Sequence, residues 1–341
     1  MKLTTIGIDS AKNVFQIHGA DERGTAVLKK QLKRDQVVPF FANLLPCKIG
    51  MEACGSAHYW ARKLQALGHS VQLIAPQYVK PFVKRNKNDA ADAEAICEAV
   101  TRPNMPAVPI KNASQQAILS VHRARQGFVK ARTAQANQIR GLLAEFGIII
   151  PQGISHIAKR VPEIIEDGEN ELPGSFRLLI QRLVDHLKVL DQQVGELERE
   201  IQAWHRENEA SKKLAKIPGI GPMTASALVA SVGNARSFRN GRQLAAWLGI
   251  VPKQHSTGGK ATLLGISKRG DTYLRTLLIH GARAVIRVAE RKPQPDAWLG
   301  KLLTRRNKNV AAVALANKNA RTIWALLAHD RAYESDYRMA A

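Results

Sequence analysis

The stretch Asn88-Asp89-Ala90-Ala91-Asp92-Ala93-Glu94 constrains this chain more than any other. Its alanines, with no Gly or Pro before Pro103, specify a helix start capped by Asn88 or Asp89. Carboxylates three residues apart share one helical face, their Cβ atoms about 5–6 Å apart. Two acids held so close repel each other, and a divalent cation relieves the repulsion. The run Lys84-Arg85-Asn86-Lys87 just before them suits a phosphate backbone. Acid pair, implied metal and adjacent cations together point to metal-assisted phosphodiester chemistry.

Two earlier segments supply further acids. Thr4 to Asp9 reads as a buried strand ending in an acid, and Val14 to Gly19 as a second strand after a short turn. Ala26 to Lys29 reads as a third, Cys47 to Glu52 as a fourth and Val71 to Ile74 as a fifth; helices are expected over 37–45 and 57–67. Three strands, helix, strand, helix, strand and closing helix is the order of the ribonuclease-H-like α/β fold. In it Asp9, Glu52, Asp89 and Asp92 converge at one edge of the sheet. Glu94 and Glu98 point elsewhere around the closing helix and read as solvated.

Charge supports a polyanionic partner. Lys plus Arg number 51 against 28 acids, a net +23. The excess is uneven: residues 162–209 hold 12 acids and 5 bases, a net −7, which leaves 46 bases and 16 acids, a net +30, elsewhere. Cys47, Cys54 and Cys97 lack zinc-site spacing and are too few for a disulfide framework, so they read as buried free thiols. No apolar run reaches the ~18 residues of a membrane span and no signal-peptide core opens the chain, so a cytoplasmic protein without membrane contact is expected.

Three regions are expected: 1–110, 111–209 and 210–341. A linker spans Pro103–Pro109, and a long helix over 113–146 carries Arg123, Arg125, Lys130, Arg132 and Arg140 against Glu145 alone, a nucleic-acid-facing pattern. Gly147 to Gly174 reads as a loop or short-helix connection. Phe176, Ile180, Leu183, Leu187, Leu190, Val194, Leu197, Ile201 and Trp204 alternate spacings of four and three, a coiled-coil seam that would pair with the 113–146 helix or with another protomer; the expectation is a projecting coiled coil that oligomerises the protein. Ile217-Pro218-Gly219-Ile220-Gly221 before a helix resembles a helix-hairpin-helix turn, with Gly219 and Gly221 letting backbone N–H groups approach phosphate. The C-terminal region is expected to be mainly helical. Its polar loop from Lys253 to Lys260 holds Ser256. That serine reads equally as a turn residue or as a nucleophile, with Lys260, Lys268 and Arg269 stabilising phosphate charge.

Gly7-Ile8-Asp9-Ser10-Ala11-Lys12, Met51-Glu52-Ala53-Cys54-Gly55, Asn86 to Ala93, Ile217 to Gly221 and Gln254-His255-Ser256-Thr257-Gly258-Gly259-Lys260 together resemble the DEDD insertion-sequence transposases, over residues 4 to about 328. The resemblance implies a RuvC-like N-terminal domain, a coiled coil and a C-terminal transposase domain with a nucleophilic serine. It implies Mg²⁺ on Asp9, Glu52, Asp89 and Asp92, and a covalent DNA link on Ser256, preferred over Thr257 as the less hindered hydroxyl. It further implies a guide non-coding RNA (bridge or seek RNA), donor and target DNA, and a homo-oligomer, dimer to tetramer, in which the acids of one protomer meet the serine of another. Two other functions share parts of this pattern: a RuvC-like nuclease or junction resolvase that uses water, and a non-enzymatic nucleic-acid scaffold.

Overall fold

The computed structural model describes residues 2–84, 88–291 and 298–334. The chain divides into two units, Met1–Gln115 with Val232–Ser237, and Gln116–Ser231 with Phe238–Ala341.

In the first unit the strands are β1 (Thr5–Ser10), β2 (Val14–Ala20), β3 (Ala26–Lys33), β4 (Lys48–Glu52), β5 (Ser70–Ile74) and β6 (Ala107–Val108). They form one mixed sheet in the order β3-β2-β1-β4-β5-β6. β1, β4 and β5 are parallel, and β2, β3 and β6 run antiparallel to their neighbours. The short β6 lies inside the stretch read as a linker; a two-residue edge strand leaves no periodicity to detect. Helices α1 (Val37–Ala42), α2 (Ala57–Ala66), α3 (Pro76–Val79) and α4 (Asp89–Thr101) complete the unit.

Alternation along β1 explains the layering. Ile6 and Ile8 are buried in a cluster with Phe15 of β2, Phe41 of α1, and Trp60 and Leu64 of α2. Gly7, between them, faces α4, where a Cβ would stand 2.2 Å from the Ala93 carbonyl oxygen and 2.4 Å from the Cys97 nitrogen. On β4, Gly50 plays the same part, since its Cβ would meet Val100 at 2.7 Å. Both glycines are required by this close approach of helix to sheet. Cys97 lies buried in that seam, and burial pushes its thiol up to about 11, as it does for Cys47. Cys54 departs from the expected burial: it is exposed, on the turn after β4, with its Sγ 3.6 Å from the Ser10 Oγ.

The second unit is helical apart from one hairpin. α5 (Ala113–Ala144), α6 (Ile154–Glu166), α7 (Gly174–Glu207), α8 (Glu209–Ala215), α9 (Pro222–Val232) and α10 (Gly241–Trp247) precede strands β7 (Pro252–Thr257) and β8 (Lys260–Ile266). After them come α11 (Thr272–Arg291), α12 (Trp298–Leu303) and α13 (Lys308–His329). The α6 helix occupies the glycine-rich connection, and Arg177 caps its C-terminal end by donating to the Ile165 and Asp167 carbonyls at 2.7 Å.

The heptad seam of α7 is used inside the chain. Ile180, Val184 and Leu187 pack with Ala136, Ile139 and Leu143 of α5 and with Ile157 and Val161 of α6. Arg125 pairs with Glu198 and Arg132 with Asp191, so rising numbers on α5 meet falling numbers on α7. The two helices are therefore antiparallel, and ion pairs one heptad apart flank their apolar seam. None of the described helices is long and apolar enough to cross a membrane.

A buried polar link joins three of these helices. The Tyr273 hydroxyl donates to His122 Nδ1 at 2.9 Å, His122 Nε2 donates to Ser226 Oγ at 3.0 Å, and Ser226 donates to the Pro222 carbonyl at 2.7 Å. Only one tautomer satisfies this chain of donors. Burial, with Arg125 nearby, pushes His122 down to about 4.

Candidate metal centre and the Ser256 hairpin

Asp9, Asp89 and Asp92 each place a carboxylate oxygen within 4.8 Å of the other two. The construction follows from the seam just described. Two residues beyond Gly7, Asp9 emerges on the same side of the sheet, beside the first turn of α4. Asn88 caps α4 by accepting from the Ala90 N–H at 2.9 Å, which fixes where the helix starts and hence where Asp89 and Asp92 stand. Asp89 is exposed and the other two are half-buried, so the cluster opens to solvent.

Glu52 stands beside this group without joining it. Ile8 pairs with Met51, so the next level along the parallel strands sets Asp9 beside Glu52, and Glu52 follows Gly50 by two residues on the α4 side. Among the described residues no Lys or Arg pairs with Asp89 or Asp92. A set of donors made of carboxylate oxygens alone fits a hard divalent cation better than zinc, which favours His and Cys.

The neighbouring cation Lys84 is turned away: its Nζ bridges Glu94 and Glu98 of α4, both at 3.3 Å, and their carboxylates raise its affinity for a proton. Glu94 and Glu98 are thus ion-paired where solvation was expected. Arg85 and Lys87 lie outside the described residues. On α5, the expected nucleic-acid contacts split. Arg125 and Arg132 are occupied by α7, and Arg140 donates to the Gly153 carbonyl at 2.9 Å and to the Pro151 carbonyl at 3.2 Å. Arg123 and Lys130 remain exposed.

The turn around Gly219 is also committed to packing on one side. Gly219, at φ +86°, abuts the backbone of Gly281 on α11, and Asn319 of α13 donates to the Pro218 carbonyl at 3.0 Å. Gly221 has open space around its Cα.

Where a loop was expected around Ser256, the chain forms a hairpin. Ser256 pairs with Ala261 and Thr257 with Lys260, and Gly258 and Gly259 take φ of +54° and +78°. Positive φ at both central positions is the tight turn that matches strand twist, and glycine is what adopts it. Every residue of β7 is exposed. At its foot the hairpin is anchored: Ser267 N–H donates to Val251 O at 2.8 Å and Lys268 N–H to Gly249 O at 3.0 Å. Lys268 and Arg269 are exposed at this foot.

Pairing also sorts the side chains by face. Ser256 shares its face with Gln254, Ala261 and Leu263, whereas Thr257 shares the other with His255, Lys260 and Thr262. Gln254, which the sequence did not single out, donates from Nε2 to Ser256 Oγ at 2.8 Å.

Comparison with known proteins places the chain in a family. Residues 211–296 match the family described as Transposase IS116/IS110/IS902, and residues 6–148 match the DEDD transposase family of the IS110 group. The chain is 55% identical over 335 residues to a probable family 20 transposase of Pseudomonas aeruginosa, covering 98% of this chain and 99% of that one. It is 45% identical over 323 residues to the transposase for insertion sequence element IS1328 of Yersinia enterocolitica, with 94% and 96% covered. A third relative, the transposase for IS1111A of Coxiella burnetii, is 44% identical over 329 residues, with 96% and 90% covered. With likeness along nearly its whole length, the chain belongs to the IS110/IS116 family of insertion-sequence transposases.

Proposed function

We propose that this transposase is an RNA-guided recombinase that cuts donor and target DNA and rejoins the strands, using a Mg²⁺ site on Asp9, Glu52, Asp89 and Asp92 and Ser256 as nucleophile. The observation that carries the reading is the convergence of Asp9, Asp89 and Asp92 on oxygen donors alone. Bound there, Mg²⁺ supplies Lewis-acid polarisation of a phosphoryl oxygen. The chain's own part is to hold the acids still: α4 is locked to the sheet by Gly7 and Gly50, and Asn88 fixes its first turn.

Ser256 Oγ attacks phosphorus as the bond from phosphorus to the sugar oxygen breaks, and the hydroxyl proton ends on the released sugar hydroxyl. The phosphodiester is conserved on the protein, so a new strand can be joined without external energy. Gln254 holds Ser256 Oγ in place. A second reading has a specific observation in its favour: Thr257 shares its hairpin face with Lys260 and His255, the groups suited to phosphate charge.

Exposed Arg123 and Lys130, within a chain of net +23, support binding of the guide RNA. Leu178, at 64% exposure, and Val189, at 54%, on the outer side of α7 support assembly to a dimer or tetramer, in which the acids of one protomer meet the hairpin of another. Three regions, 1–110, 111–209 and 210–341, then carry the acid chemistry, the assembly and the nucleophile.

Comparing Ser256→Ala with Thr257→Ala tests the reading. Ser256→Ala is expected to bind DNA and RNA yet yield no strand exchange and no protease-sensitive protein–DNA adduct, while Thr257→Ala yields both. The reverse result moves the nucleophile to Thr257, and adduct-free cleavage by both variants and wild type replaces the mechanism with a water-using nuclease. RNA recovered with protein expressed beside its native flanking DNA is expected to be one discrete species; random cellular RNA alone rejects the guide.

A further inference from the structure

Helix α11 carries a row of basic residues that the chemistry above does not use. His280, Arg283, Arg287 and Arg291 are exposed, while Leu274, Arg275, Leu278, Ala282 and Ile286 are buried. At 3.6 residues per turn the four basic positions fall in an arc of about 80°, and at 1.5 Å per residue the row is about 16 Å long. The one carboxylate beside it, Glu290, is held by Lys308 at 2.6 Å. Among the described residues no carboxylate pairs with Arg283, Arg287 or Arg291. Arg283 donates to Asn309 Oδ1 at 3.1 Å, a neutral contact that ties the row to the start of α13, and exposed Arg305 and Arg306 lie just before that helix.

A solvated helix face ordinarily mixes signs at i,i+4. Here Arg283, Arg287 and Arg291 are spaced i,i+4 with like charge, an arrangement that destabilises an isolated helix. A polyanion laid along the row removes that repulsion. We infer that this face of α11 docks the sugar-phosphate backbone of duplex DNA. B-DNA presents one phosphate per about 3.4 Å along each strand, so the arginine repeat of about 6 Å is close to two phosphate steps and the row covers about five. No aromatic residue interrupts the row, whereas single-strand sites place aromatics beside their cations for base stacking. DNA is the occupant because the chain is a transposase, and the inference rests on that reading.

The test is a salt series for full-length protein binding a nonspecific DNA duplex, in chelator so that no cleavage intervenes. Arg287→Ala with Arg291→Ala keeps helix propensity while removing two cations. The slope of log affinity against log salt is expected to fall by about 1.8, which means that wild type loses about 12-fold more affinity than the variant between 50 and 200 mM. Lys159→Ala with Lys188→Ala, exposed lysines of α6 and α7, is expected to leave the slope unchanged. An unchanged slope in the arginine variant overturns the inference alone, and so does an equal fall in the lysine control. A fall on an RNA duplex with the DNA slope intact assigns the surface to RNA and also overturns it. Wild type that binds no duplex DNA overturns the DNA-substrate reading together with this surface.

Discussion

The acid cluster and the hairpin are both open to solvent, yet they are held in opposite ways. Around the cluster, position is dictated by the core: Gly7 and Gly50 admit α4, Ile96 and Val100 are fully buried against the sheet, and the acids emerge one turn away. The hairpin has no such backing beyond its foot. A two-stranded ribbon is marginal by itself, and here Leu263 is 66% exposed and Leu264 53%. Acids fixed by the core and a ribbon without core backing suit the proposed reaction, in which a metal would stay in place while the DNA strand moves.

The sharpest break in that comparison is Asp89→Asn. It removes one ligand from the proposed metal site, whose ion would supply several kcal/mol, so DNA cleavage should fall at least about 1,000-fold with the melting curve unchanged. Full Mg²⁺-dependent cleavage by the variant would end the assignment. Next comes Gly7→Ala, whose new methyl meets backbone and not a flexible side chain. It should cost about 3 kcal/mol, the upper end of overpacking, measured by urea denaturation.

The foot of the hairpin is probed by pH, because Tyr273 opens α11 and leans on His122. With its folded value near 4 and an ordinary value of 6.5, His122 takes up its proton first in the unfolded chain. Its contribution is therefore complete above about pH 6.5, is lost as pH falls toward about 4, and amounts to about 3 kcal/mol. In His122→Gln, denaturation at a series of pH values should lack that component. A slope equal to wild type would place the histidine elsewhere in the balance.

Smallest of all is the effect of the tip on global stability. Gly258→Ala strains a left-handed position, yet the ribbon opens without exposing core, so the midpoint should move by less than about 0.5 kcal/mol while amide exchange in the hairpin quickens. A large loss of global stability would show that the hairpin is part of a core after all.

Much of the acid site was legible in the sequence. Its strands alternate cleanly, Asn88 announces the helix, and each strand acid follows a glycine by two residues, Gly7 before Asp9 and Gly50 before Glu52. That repeated Gly-x-acid pattern is the signal of close helix packing, and its meaning appears only once α4 lies on the sheet. The α5 cations misled because their partners, Glu198 and Asp191, lie far along the chain, and a local charge count cannot pair them. The hairpin was read as a loop because Gly258-Gly259 marks a tight turn and an irregular segment alike, and β7 lacks the apolar alternation of a strand backed by core.

Ser256 and Thr257 are adjacent in sequence and back to back in space, because successive residues of a strand point to opposite sides. The ribbon is in effect a two-sided reagent with a different hydroxyl on each side. On the proposed mechanism, whichever side is laid against DNA would select the nucleophile before intrinsic reactivity is compared, and Leu263 and Thr262 serve as labels for the two sides. A photo-crosslinker that captures DNA from position 263 but not 262 identifies the serine side without any measurement of catalysis.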